Sequence, residues 1–176
     1  MNKRILLLFL SLALLLSFPL SASGDAFALS LFGGVDEALY INNENEDFLF
    51  RTAFKVDLDV DLLHRDVGMI SHGPYLSLNY TSETLAINGL RYNGYAGGGV
   101  GYSILRKLEG GMALAGYLEY GYGGYLKSDI RYSSLDLGAI YSFPIGDDLA
   151  LSARCGLSYK GNLYSFYCQA GCRVGL

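Results

Sequence analysis

Apolar and polar residues alternate through most of the chain beyond its first two dozen positions, and the alternation is cleanest at the carboxyl end. From Leu149, alternate residues give Leu149, Leu151, Ala153, Cys155, Leu157 and Tyr159 on one face, against Ala150, Ser152, Arg154, Gly156, Ser158 and Lys160 on the other. A repeat of two with one apolar side is the pattern of a β-strand. Gly161-Asn162 supplies a Gly-first pair suited to a two-residue type II′ turn. The chain then returns with Tyr164, Phe166, Cys168, Ala170, Cys172 and Val174 against Ser165, Tyr167, Gln169, Gly171 and Arg173. Pairing Lys160 with Leu163 sets Cys155 opposite Cys168 and Arg154 opposite Gln169. A slip of one residue would exchange the two faces, so the register is strongly specified.

The same reading runs back through the chain. A first strand extends from Phe27 to Ile41, with Gly33-Gly34 predicted to form a bulge, and leads to an acidic tip at Asn42 to Asp47. The strand from Phe48 to Leu62 is about 45 Å long if regular, enough to follow a tilted path across a bilayer and rise above it. Leu63 to Gly73 reads as a polar turn carrying His64 and His72. Pro74 to Thr81 is a short strand, Ser82 to Arg91 an outer extension of its hairpin, and Asn93-Gly94 the predicted hairpin turn. Strands follow at Tyr95 to Leu105, Met112 to Tyr122 and Arg131 to Phe143, separated by Arg106 to Gly111 and Gly123 to Asp129, with Pro144 to Asp148 leading into the last hairpin. Gly97, Gly98, Gly99 and Gly101 look superficially like a phosphate loop, but strand and not helix follows them.

The total is eight strands, with ten as the alternative, and the count is least fixed at Ser82 to Arg91, which reads either as the hairpin's extension or as a separate strand. An even number lets the last strand return beside the first and removes both edges. Two closed sheets fit such strands. A soluble lipocalin-like barrel turns its apolar face inward, and a membrane barrel turns it out to lipid. Charge placement separates them. Arg51, Lys55, Asp57, Asp59, Asp61, Glu119, Asp136, Arg154 and Arg173 all fall on polar faces, whereas the apolar faces are almost free of charge. With the long second strand and the tyrosines near strand ends, this predicts an all-β, closed, antiparallel up-and-down transmembrane barrel.

Composition adds the compartment. Lys3 and Arg4, the apolar run Ile5 to Leu16, Pro19 and the small residues Ser21 to Gly24 read as a signal peptide over residues 1–24. Residues 25–176 then form one domain of 152 residues (176 minus 24). Removing Lys3 and Arg4 leaves 11 basic against 17 acidic residues, a charge of −6 that argues against a nucleic-acid surface. No second run of about 18 apolar residues follows, so a helical crossing is not expected. The 15 Tyr suit a membrane interface, where a ring sits in apolar surroundings with its hydroxyl in water.

This pattern resembles the small eight-stranded outer-membrane barrels of bacteria, the class similar to the transmembrane domain of outer membrane protein A. The resemblance covers residues 25–176 and rests on alternation, not on a motif. It implies residence in the bacterial outer membrane, contact with membrane lipid, and insertion by the outer-membrane assembly machinery. In that class the machinery reads a last strand ending in an aromatic residue; this chain ends in Leu176. The expected role is that of a monomer, structural or surface-exposed, with a narrow, polar, non-conducting lumen. A surface adhesin or small-solute-binding barrel is the alternative, ahead of a lipid-modifying enzyme.

Candidate chemistry is confined to the lumen and the cysteines. Glu119, Asp136, Arg154 and Gln169 lie on neighbouring strands at similar height and are expected to form a plugging ion-pair cluster. Arg51, Lys55, Asp57, Asp59 and Asp61 form a row along the second strand. The three aspartates point along one strand instead of converging and lack a glycine-containing ligand loop, so no metal site is expected, nor any cofactor. Cys155 opposite Cys168 permits a disulfide, with two lipid-facing thiols as the equal alternative. Cys168 and Cys172, four apart on one strand, are roughly 13 Å apart and too distant to bridge. Neither histidine sits beside a nucleophile, and no catalytic residue is assigned.

Overall fold

The computed structural model describes residues 28–42, 47–62, 65–87, 90–161 and 163–175; for 38–42, 47–51, 84–87 and 90–92 the description is of the backbone. The expected signal peptide and most of the acidic tip, with His64 and Asn162, lie outside these residues. The strands are β1 (Ala28–Asn42), β2 (Asp47–Asp61), β3 (Arg65–Val67), β4 (Ile70–Ile87), β5 (Leu90–Lys107), β6 (Ala113–Tyr125), β7 (Arg131–Pro144), β8 (Leu149–Lys160) and β9 (Leu163–Gly175). One 3-10 turn, Glu109–Gly111, connects β5 to β6, with Gly110 and Gly111 both at positive φ.

Eight of these strands form a ring in the order β2-β1-β9-β8-β7-β6-β5-β4, closed by β2 against β4, and all pairings are antiparallel. The short β3 is an addition to the ring: it pairs with β4 alone, from Arg65↔His72 to Val67↔Ile70. Closure leaves no free edge around the membrane-crossing girdle, and full closure is what allows a sheet to satisfy its backbone in lipid.

The faces are inverted relative to a soluble barrel. Leu157 is 60% exposed and Phe54 55% exposed, while Asp57 and Arg154 are 3% and 1% exposed. Leu118, Leu137, Leu157 and Phe166 form one continuous outer row through the rungs Leu118↔Leu137, Leu137↔Leu157 and Leu157↔Phe166. A lipocalin-like interior of leucine, valine and phenylalanine is therefore ruled out. The terminal hairpin has the register that its alternation requires, with Lys160↔Leu163, Cys155↔Cys168 and Arg154↔Gln169 as partners.

Three local expectations are corrected. The hairpin turn is not at Asn93-Gly94: β4 runs on to Ile87, whose partner is Leu90, while residues 88–89, a second Asn-Gly pair in the sequence, lie outside the described residues. Asn93 and Gly94 instead lie within β5, opposite a register shift between Thr81 and Thr84, where Gly94 takes a positive φ of 77°. Ser82 and Glu83 on β4 stand against Gly94 alone on β5, so the one extra residue makes a bulge, a common device near a barrel rim. Ser82 to Arg91 is thus an extension of two existing strands. At Gly33-Gly34 the register is unbroken on both sides, so there is no bulge. Gly34 instead allows close approach of β9: a Cβ there would run into the backbone of Cys168 and Gln169. Finally, His72 is in β4 and not in a turn.

The two ends differ. At the end holding Ala28 and Gly175, strand ends surround an open vestibule of about 460 Å³ whose lining includes Ser71, Ser142, Asp148 and Arg173. At the other end two ribbons outgrow the ring. The β2–β4 seam runs from Asp61↔Tyr75 to Lys55↔Thr81, while β1–β2 continues to Asn42↔Asp47 and β4–β5 to Ile87↔Leu90. At the fork, the Phe54 backbone N–H donates to Ser82 Oγ at 2.8 Å.

Candidate functional site: an occluded lumen

The strand pleat places alternate polar residues of each strand inside. From β2 come Lys55, Asp57, Asp59 and Asp61; from β8 comes Arg154; β9 supplies Tyr167 and Gln169; β6 supplies Tyr117 and Glu119; β7 supplies Asp136, and all are buried. Arg154 sits at the centre. Its Nη1 lies 3.0 Å from Asp59 Oδ2 and 3.8 Å from Asp57 Oδ2, and its Nη2 lies 3.6 Å from Glu119 Oε2. A planar guanidinium with several donors can face carboxylates on more than one side, which a lysine ammonium does less well. Gln169 Nε2 donates to Asp57 Oδ2 at 2.7 Å. Tyr75 Oη donates to Glu119 Oε2 at 3.0 Å, and Ser77 Oγ donates to the other oxygen of the same carboxylate. Lys55 Nζ bridges Asp136 at 3.4 Å and Asp57 at 3.8 Å.

Aromatic rings close the remaining space. The guanidinium carbon lies 4.3 Å from the Tyr117 ring centre, 5.4 Å from Phe32 and 5.7 Å from Tyr167. Lys55 Nζ stands 3.7 Å over the Tyr167 ring. Such cation–ring contacts gain strength where water is excluded. The hydroxyls of Tyr117 and Tyr167 hydrogen-bond to each other. Room for these rings comes from glycine on the neighbouring strand: a Cβ at Gly156, the partner of Tyr167, would meet both tyrosine hydroxyls, and a Cβ at Gly101, the partner of Tyr75, would enter the Tyr75 ring.

Further pairs lie toward each end. Arg173 Nη2 is 2.7 Å from Asp61 Oδ2 near the vestibule, and Lys160 pairs with Glu83 toward the ribbon end, beneath Tyr95. Of the expected cluster, Arg154, Glu119 and Gln169 are brought together through Asp57 and Asp59. Asp136 is met by Lys55 and not by Arg154. Of the expected row, Lys55, Asp57, Asp59 and Asp61 all point inward, and for Arg51 the backbone is described. Sequence reasoning missed Tyr75, Tyr117, Tyr167, Glu83 and Lys160. Their signal was phase, because each tyrosine shares the face of a serine, glutamate or glutamine, and each has a glycine as a cross-strand partner: Gly101 for Tyr75, Gly138 for Tyr117 and Gly156 for Tyr167.

Outside the lumen, Cys155 and Cys168 are exposed on the outer face with their Sγ atoms 2.6 Å apart and not bonded in this structure, and Cys172 is also unbonded. His72 Nδ1 is 2.5 Å from Tyr102 Oη. Among the described residues, no group of three or more His, Cys, Asp or Glu side chains is arranged to hold a metal ion, and no helix is long and apolar enough to cross a membrane.

A closed ring of eight antiparallel strands, apolar outside and ionised within, is the fold of the small outer-membrane β-barrels. Solved structures share it. Neisserial surface protein A superposes with a TM-score of 0.59 at 14% identity, covering 84% of this chain and 96% of its own. Ail, the attachment invasion locus protein of Yersinia pestis, superposes in its complex with the heparin analogue sucrose octasulfate with a TM-score of 0.56 at 15% identity, covering 85% of this chain and 99% of its own. Ail without that compound gives 0.54 at 14% identity. No protein-family model and no curated protein sequence matches the chain.

Proposed function

We propose that the chain is a monomeric barrel of the bacterial outer membrane with a structural or surface-exposed role, and that its lumen does not conduct. The observation that carries this reading is the central plug. Arg154 is held by three carboxylates from β2 and β6 and is walled by the Tyr117 and Tyr167 rings, so a hydrated ion would have to break several buried pairs to pass. The reading includes insertion by the outer-membrane assembly machinery and permanent contact with lipid. A role at the cell surface is supported by the two ribbons, which rise past the ring where β2 and β4 separate. A hydrolase is disfavoured because His72 is engaged by Tyr102 on the outer wall, away from the buried polar groups.

The test is reconstitution of the purified chain in planar bilayers, with the source membrane fixed by fractionation and folding by heat-modifiable migration on gels. A shifted folded band in the outer-membrane fraction, with no current above the bare bilayer, is the expected result. Steady ohmic conductance from the folded form would overturn the plug, and a band confined to the soluble fraction would overturn the whole reading.

A further inference from the structure

The terminal hairpin carries two cysteines that the register makes partners. Counting from the Lys160↔Leu163 rung beside a two-residue turn, Cys155↔Cys168 falls at a non-hydrogen-bonded position. At such positions the Cα atoms approach to about 4.5 Å, within the range a disulfide spans. The Sγ atoms are 2.6 Å apart, inside the contact distance of two unbonded sulfurs. Cys172 differs. Its partners across the strands are Leu151 and Leu31, so no second thiol faces it.

We infer that Cys155 and Cys168 are a covalent modification site: they are oxidised to a cross-strand disulfide before the hairpin enters the membrane, and Cys172 remains a thiol. The order follows from the chemistry. The attacking species in thiol–disulfide exchange is a thiolate, and a thiolate is strongly disfavoured in hydrocarbon, where both sulfurs end up. Oxidation therefore belongs to the aqueous stage of export, and the inference rests on the outer-membrane reading above for that stage. The co-reactant is a periplasmic protein oxidant carrying a reactive disulfide. One cysteine thiolate attacks it, forming a mixed disulfide and releasing one oxidant thiolate. The second cysteine thiolate then attacks the first cysteine's sulfur, forming the Cys155–Cys168 bond and releasing the second oxidant thiolate. Two cysteines lose two electrons, the oxidant disulfide gains them, and the two protons finish on the oxidant's thiols. The product holds β8 and β9 in register through the outer face while Arg154 and Gln169, one rung further from the turn, are positioned for the lumen.

The experiment is thiol counting on the full chain in denaturant, with a maleimide-linked polyethylene glycol added before or after reduction. One adduct before reduction and three after are expected. Cys172→Ser should give none before and two after, and Cys168→Ser two before and two after. Three adducts before reduction, or two for Cys172→Ser, would overturn the site. Chain held in the periplasm by depletion of the assembly machinery should already give one adduct; three there, with one in the membrane form, would overturn the order of events. Fractionating the same cells keeps the two readings apart. Three reactive thiols on a chain found in the outer membrane sink the disulfide alone, whereas a chain absent from that membrane sinks the proposed function.

Discussion

Arg154 on β8 meets Asp59 on β2 at 3.0 Å inside the barrel, 95 residues apart in sequence and three strands apart around the ring. The contact exists because the sheet closes. Replacing Arg154 with alanine would leave Asp57, Asp59 and Glu119 enclosed without their shared cation. Removing one partner of a buried ionic group costs about 3 to 5 kcal/mol. The temperature at which the folded gel band is lost should fall clearly in Arg154→Ala; an unchanged temperature would remove the cluster from any account of stability.

Glycine at the lumen wall is required where a ring lies against it. Gly156→Ala would push a methyl group into the hydroxyls of Tyr117 and Tyr167, and overpacking of this kind costs about 1 to 3 kcal/mol. Gly116 faces outward, where an added Cβ meets nothing within 4 Å, so Gly116→Ala should be neutral. Urea midpoints in detergent micelles compare the two, and equal midpoints would contradict the packing described.

The rings themselves are expected to carry the seal. Tyr117→Ala combined with Tyr167→Ala removes two walls of the Arg154 cage. Small-ion conductance in planar bilayers should appear in the double variant and not in the native chain. A double variant that folds and stays insulating would assign the seal to the ion pairs alone.

Orientation toward lipid is tested from outside. Leu118 and Leu157 lie in the exposed leucine row, 50% and 60% exposed, and an arginine near the bilayer midplane costs about 2 to 4 kcal/mol. Leu157→Arg should lower the assembled fraction in membranes, whereas Val67→Arg on the peripheral β3 should assemble normally. Normal assembly of Leu157→Arg would deny that this face meets hydrocarbon.

Local pattern made much of this fold legible. Alternation of period two gave the strands and the partners of the terminal hairpin, because a slip there would exchange the faces of Leu157 and Arg154; the inside-out sense came from where the charges fall. It did less well between Thr81 and Tyr95, where two Asn-Gly pairs compete as turns. The choice is made by where β4 and β5 run out of partners, which local sequence does not encode. The lumen was partly legible for a related reason. Arg154 beside Gln169 follows from one hairpin, but Lys55 with Asp136 joins β2 to β7 and depends on the stagger of the closed ring. The inward tyrosines were readable from phase, yet their chemistry suits both a bilayer interface and a cage for a cation, and only glycine opposite them tells the two apart.

The backbone ladder is uneven, and this has a mechanical consequence. Among the described residues β2 and β4 share seven rungs, from Lys55↔Thr81 to Asp61↔Tyr75, while each other neighbouring pair in the ring shares eleven or more. Thermal fraying should therefore begin there, and deuterium should reach those amides first. Yet the two strands are also tied from within. Asp59 of β2 grips Arg154, Arg154 grips Glu119, and Glu119 accepts from Tyr75 and Ser77 of β4. What fills the bore is also a clasp, and loosening it would unzip the wall at its shortest seam.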